Sequence, residues 1–182
     1  GTATLWDSVD LGFKPTKRTW GAEVFPGSSL PNAMVQVSPV TKFHSGAGYQ
    51  YEDSVIYGFT HTNKGHWNLC HIPLLPVTGT PTPGDYCSPF SHERESAAPG
   101  YYQVFLDRYG VDAQLSSTLC CAFHKYTYPA GAAASLLADL QRSNEHVRAW
   151  DIRKEGDNVF AGWQQTGEKM YCLLYTSPSP RD

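Results

Sequence analysis

Val111-Asp112-Ala113-Gln114-Leu115 and Phe123-His124-Lys125-Tyr126-Thr127-Tyr128 alternate between two kinds of side chain at a period of two. That period sends every second residue to the same face of an extended strand. One face then enters a core and the other meets solvent, as in antiparallel sheets. Around these two stretches, short apolar and β-branched runs recur at Ala33–Ser38, Val55–Phe59, Leu69–Leu75, Tyr101–Leu106, Val111–Leu119, Cys121–Tyr128, His146–Ile152 and Asn158–Trp163. Clusters of Gly, Pro, Asn and Asp separate them. Arg108-Tyr109-Gly110 and Arg153-Lys154-Glu155-Gly156-Asp157-Asn158 have the chemistry of turns. Many short strands with closely spaced turns predict an all-β antiparallel sandwich rather than alternating βαβ units. Ala130–Arg142 conflicts with this, because its strong helix formers and i, i+3, i+4 apolar spacing favour a helix on propensity alone.

The chain has 182 residues, enough for one domain with its own core. Hydrophobic residues make up 41 %, which places it among globular proteins. With 14 basic and 17 acidic residues the formal net charge is −3, so nucleic acid is not an expected partner. No apolar run approaches the roughly 20 residues of a membrane helix, and no membrane span is expected. The chain opens Gly1-Thr2-Ala3-Thr4-Leu5-Trp6 without Met or a signal-peptide pattern, and its five cysteines are an odd number.

The last eleven residues, Cys172–Asp182, read CLLYTSPSPRD. This Ser/Pro string cannot pair into a sheet and resembles one reading frame of a transposase sequencing adapter. Residues 172–182 are therefore read as an adapter-derived artefact and residues 1–171 as the protein proper, cut at both ends. Cys70, Cys87, Cys120 and Cys121 then remain. Adjacent strand residues face opposite ways, so Cys120 and Cys121 do not suit each other as partners. A Cys70–Cys87 bridge and buried free thiols both stay open.

Phe59-Thr60-His61-Thr62-Asn63-Lys64-Gly65-His66-Trp67-Asn68 is the most unusual stretch. Asn, Lys and His supply the forked donors and acceptors that sugar hydroxyls need. A flat Trp supplies a face for a pyranose ring. The plainer alternative is a polar surface loop around a core Trp. His61, His66, Cys70 and His71 lie close in sequence, but spacings of five fit no usual zinc site. There is no Gly-x-Ser-x-Gly elbow and no phosphate-binding glycine loop. Glu23, Glu52, Asp53, Asp85, Glu93 and Glu95 form no evident catalytic pair, and Glu93 and Glu95 sit in a polar run that reads as solvated.

Four blocks resemble one family. Glu23-Val24-Phe25-Pro26-Gly27 through Pro39 is similar to the FPGA-x-x-PFGMVQLSP signature of glycoside hydrolase family 92. Gly48-Tyr49-Gln50-Tyr51 with Ile56–Thr62 resembles its GYxY…IxGFSHTH block. Ser88–Tyr102 resembles FSHxxExAxPGYY, and Phe123–Pro129 resembles its HRYTFP strand. The blocks occur in family order from Glu23 to about Trp163.

The resemblance implies an N-terminal β-sandwich of the supersandwich type, without the C-terminal (α/α)6 barrel that completes the family's enzymes. It implies that Ser135–Leu140 pairs as a strand. It implies calcium-dependent, inverting exo-α-mannosidases that act on mannose-containing glycans and are periplasmic or secreted. Catalytic acid, base and calcium ligands would lie in the barrel, so this chain alone would be inactive and would hold no metal. The sandwich would lend its loops to the mannose site. His66 and Trp67 lead as sugar contacts, with Asn63, Lys64 and His61 in the same loop. His44 and Tyr49 form a second lining segment. Glu23 and Phe25 occupy the position of a leading loop whose usual His pattern is missing here. His92 reads as the anchor of a long loop by hydrogen bonds. A free-standing carbohydrate-binding sandwich is the alternative function, and a structural module a third.

Overall fold

The computed structural model describes residues 26–64 and 67–167, with Lys64 and Trp67 described by backbone alone. The first strands are β1 (Ser28–Ser29), β2 (Gln36–Val40), β3 (Val55–Ile56), β4 (Gly58–Thr60), β5 (Asn63–Lys64) and β6 (Trp67–Asn68). Next come β7 (Leu74–Thr78), β8 (Ser88–Pro89), a 3₁₀ turn at His92–Arg94, β9 (Glu95–Ala98) and β10 (Tyr101–Leu106). β11 (Val111–Ser117), β12 (Ala122–Thr127), β13 (Ala134–Ala138), β14 (Val147–Lys154) and β15 (Phe160–Thr166) complete the order.

Two antiparallel sheets make the expected sandwich, one ordered β1-β2-β4-β7-β13 and the other β12-β11-β10-β9. The period-two reading holds closely in β10 and β11. Tyr102, Val104 and Leu106 are buried on one, and Val111, Ala113 and Leu115 on the other. Register sets Tyr102 opposite Leu115, Val104 opposite Ala113 and Leu106 opposite Val111, which merges the two rows into one apolar face. Val37, Phe59, Leu75 and Val77 of the other sheet share that core. Each such burial contributes roughly 1.5–3 kcal/mol. The hydroxyls of Ser28 and Ser117 meet at 2.8 Å in the interior and tie β1 to β11.

Two sequence expectations change, and one conflict is resolved in favour of the strand. The Ala130–Arg142 segment makes no helix. Its centre is β13, with Ser135 opposite Val77 and Leu137 opposite Leu75. Pairing to β7 outweighs local propensity here, as the family resemblance implied. Leu69–Leu75 is not one strand, because Cys70 and Ile72 have φ of 51° and 44° and only Leu74 and Leu75 enter β7. Left-handed residues cannot continue a strand, so the apolar run reflects a buried bend. Val55–Phe59 is split between β3, which pairs with β8, and β4, which joins the five-stranded sheet.

Gly27 explains one motif residue. A Cβ there would lie 1.7 Å from the Val37 carbonyl oxygen and 2.8 Å from the Ser38 Cα. The β1–β2 pairing, Ser28 opposite Val37, is closed by that approach. Gly27→Ala is expected to lower stability by about 2 kcal/mol, read from the urea midpoint, because β1 must lift away. An unchanged midpoint would show that the approach is not needed.

Cys70, Cys87, Cys120 and Cys121 are free thiols. Cys70 is buried, whereas Cys120 and Cys121 are exposed, so the buried-thiol reading fits Cys70 but not that pair. The β14–β15 ribbon stands as a separate two-stranded sheet and exposes Trp150, Ile152, Phe160 and Trp163.

Candidate functional site

The unusual loop folds into the β5–β6 hairpin, with Asn63 opposite Asn68 and Lys64 opposite Trp67. Two backbone bonds seat it. The Leu69 N–H donates to the Thr62 carbonyl at 3.1 Å, and the Asn68 N–H to the Gly46 carbonyl at 2.9 Å. Gly46 belongs to the loop that carries His44, so the hairpin and the second lining segment are neighbours. Asn144 fastens them further. Its Oδ1 accepts from the His44 N–H at 2.6 Å, and its Nδ2 donates to the Asn68 carbonyl at 2.7 Å. Gly48 leaves room for Asn68, since a Cβ there would fall 2.9 Å from Asn68 Nδ2.

Asn68 Oδ1 accepts from the Thr60 hydroxyl at 3.1 Å and the Cys70 N–H at 2.8 Å. Among the described residues its Nδ2 has no partner, and neither amide atom of Asn63 has one, although all three atoms are buried. Residues directly opposed on a ladder project from the same face. One face of the hairpin therefore holds two donor groups and one acceptor whose burial is uncompensated. A hydroxyl, which both donates and accepts, suits that set. Asn68 was not singled out by the sequence. Its signal is an Asn mirrored across a short hairpin, which becomes visible only once the register is known.

The other site residues are placed as follows. His44 is exposed beside the hairpin, with φ of 59°. Tyr49 is buried, and its hydroxyl donates to the Glu95 carboxylate at 3.0 and 3.1 Å. His61 points into the sandwich. Its Nε2 lies 2.7 Å from His124 Nε2, and His124 Nδ1 lies 2.6 Å from the Tyr126 hydroxyl. Burial lowers His61 to about 4. Burial first, and His61 second, hold His124 well below the ordinary histidine value. The structure thus brings Asn63, the Lys64–Trp67 backbone pair and the His44 loop together, while Tyr49 and His61 turn inward. Glu23, Phe25 and His66 lie outside the described residues.

Behind the hairpin His71 is buried, its ring nitrogens facing the Thr62 hydroxyl at 3.3 Å and the Thr166 hydroxyl at 3.2 Å. Burial lowers its pKa, partly opposed by Glu145. Burial also pushes the Cys70 thiol up to about 12, the reverse of an activated nucleophile. Among the described residues no three His, Cys, Asp or Glu side chains converge on one point. No helix among the described residues is long and apolar enough to cross a membrane.

The two facing antiparallel sheets define a β-sandwich domain. The profile of the glycosyl hydrolase family 92 N-terminal domain matches residues 13–178. The chain belongs to that family. The matched span includes Cys172–Pro178 of the Ser/Pro tail. A family GH92 α-mannosidase of Bacteroides thetaiotaomicron, solved with mannoimidazole, is 30% identical with a TM-score of 0.72 over 78% of this chain and 21% of its own. The GH92 family glycosyl hydrolase ccman5 is 29% identical with a TM-score of 0.63, over 84% of this chain and 23% of its own. An inverting GH92 mannosidase of Bacteroides thetaiotaomicron shares the fold at 23% identity and a TM-score of 0.64, over 77% of this chain and 19% of its own. The chain thus spans about a fifth of the length of these solved relatives. A search of curated proteins returned no match.

Proposed function

We propose that this chain is the pocket-contributing N-terminal part of an inverting exo-α-mannosidase, which removes terminal mannose from glycans outside the cytoplasm. The observation that carries the reading is the trio of buried, unpartnered amide atoms on Asn63 and Asn68. They lie in the loop where the family resemblance places sugar contacts. Their bonding needs are those of a vicinal pair of sugar hydroxyls. Family membership and the names of the solved relatives support mannose as the sugar. On this reading the chain's own residues bind and orient. The acid that protonates the leaving oxygen and the base that activates water stand on the companion (α/α)6 barrel. A calcium ion there would add fixed positive charge held by oxygen ligands. The chain by itself then turns nothing over.

Asn63→Ala separates binding from folding. Removing an amide that the fold never satisfies should leave the urea midpoint unchanged or raised. The affinity of the 182-residue chain for methyl α-mannoside, followed by NMR titration, should fall about tenfold, equivalent to about 1.4 kcal/mol. Loss of stability without loss of mannoside affinity would make Asn63 a structural residue and remove the support for the reading. Mannose released from an α-mannoside by the chain alone would equally overturn it.

A further inference from the structure

We propose that the open pocket beside the hairpin is an anion subsite, taking a carboxylate, sulfate or phosphate group carried by the glycan onto Arg142. The inference rests on the chain's being a glycan-handling domain and adds a substrate class to it. The pocket has a volume of about 410 Å³ and is walled by Lys42, Phe43, His44, Tyr57, Arg142 and Ser143. Two of these are permanent cations, a third is a histidine, and no lining residue is acidic. This is a local reversal of sign in a chain of net charge −3.

Arg142 is held in place before any ligand arrives. Its guanidinium carbon lies 5.3 Å from the ring centre of Phe43 and 5.5 Å from those of Tyr57 and Tyr86. Rings at that range attract the cation through their faces. Asp139 faces its Nε at 3.9 Å, too long for a firm ion pair. That carboxylate also accepts from the Tyr86 hydroxyl and from the Gln141 N–H. The guanidinium is thus flanked by three rings and by a carboxylate that is itself fixed by Tyr86 and Gln141. Its fork of N–H donors matches the two oxygens of an oxyanion.

The rest of the pocket suits a sugar that carries such a group. Phe43 and Tyr57 meet edge to face at 5.4 Å and offer an apolar wall. Lys42 is exposed, and its Nζ donates to the Gln50 Oε1 at 3.4 Å. Asn144 bonds the His44 backbone on one side and the Asn68 carbonyl on the other. Asn144 thereby ties the pocket's His44 loop to the hairpin.

The test titrates the 182-residue chain with glucuronate, glucose 6-sulfate, glucose 6-phosphate and uncharged glucose by NMR at low salt. The charged probes should bind at least tenfold tighter than glucose, and the advantage should shrink as salt rises. Arg142→Gln should abolish it, Lys42→Gln should cut it several-fold, and Arg153→Gln on β14 should leave it intact. The strongest of the three anions identifies the group. Arg142 packs on rings, so its variant is checked by thermal melting, and Lys42→Gln on an exposed loop supplies the independent arm. Equal affinity for charged and neutral sugars, or an advantage that survives both Arg142→Gln and Lys42→Gln, overturns the subsite. Methyl α-mannoside binding through Asn63 is read separately. If it persists while the anions fail, only the subsite is lost; if it fails while they bind, the subsite stands without the mannosidase reading.

Discussion

Glu95→Ala is expected to cost about 4 kcal/mol of folding stability. The Glu95 side chain is enclosed, and two phenolic hydroxyls and a histidine nitrogen converge on it. The Tyr49 hydroxyl donates at 3.0 and 3.1 Å, the Tyr102 hydroxyl at 2.6 Å, and His92 Nδ1 lies 2.5 Å away. The other ring nitrogen of His92 donates to the Tyr51 carbonyl at 2.6 Å, and the ring stacks on Tyr51 at 4.0 Å. Burial first, and the Glu95 charge second, raise the pKa of both phenols, so they remain donors. Alanine would leave two buried hydroxyls without an acceptor. Glu95→Gln keeps one acceptor oxygen and should cost about half as much. Urea unfolding followed by tryptophan fluorescence measures both. A Glu95→Ala midpoint within error of the parent would mean that water replaces the carboxylate, and the polar knot would then not hold the loops.

That knot is also where sequence reading stopped. The strand pattern was legible because burial follows the pleat: Tyr101–Leu106 and Val111–Leu115 alternate, and the structure buries the expected faces. Glu95 is the counter-example. Beside Glu93 and Arg94 it reads as solvated, yet it is 5% exposed. Its partners come from sequence positions 49, 92 and 102, and no local pattern announces such a convergence. The expected loop-anchoring role of His92 agrees with its bonds to Glu95 and Tyr51. β13 was legible only through the family resemblance, for a related reason. Its strand state depends on a partner, β7, that lies 58 residues earlier between the paired Ser135 and Val77. Its own sequence argues for helix. At the candidate site the residue types were legible in the loop Phe59–Asn68. The mirrored amides were not, because they follow from register. The Arg142 pocket joins positions 42–44, 57 and 142–143, and only the fold brings these together.

Acidification should produce a second large effect, well before the carboxylates titrate. His61, His124 and His71 are all held below the ordinary histidine value, with burial the largest cause in each. The direction fixes the sign. A folded-state pKa below the unfolded value means that the unfolded chain takes up protons which the folded chain refuses. Stability is therefore full above the unfolded pKa of about 6.5 and falls as pH drops from there towards 4. His61, lowered from 6.5 to about 4, would alone remove about 2 kcal/mol by pH 5 and about 3 by pH 4. His124 adds to this through the same contact, because a second charge 2.7 Å from His61 Nε2 would be repelled as well as buried. His71 adds less, since Glu145 favours its protonated form. The contact's position makes the loss cooperative. His61 follows β4 and His124 lies in β12, so the pair spans the two sheets beside the Phe59 ring. Charging it should separate the layers rather than fray an edge. Urea midpoints at pH 7.5, 6 and 5 should fall steadily, and His61→Gln with His124→Gln should flatten the slope whatever it does to stability at pH 7.5. Equal midpoints at pH 7.5 and 5, or an unchanged slope in the double variant, would show that these rings accept protons without leaving their places between the sheets.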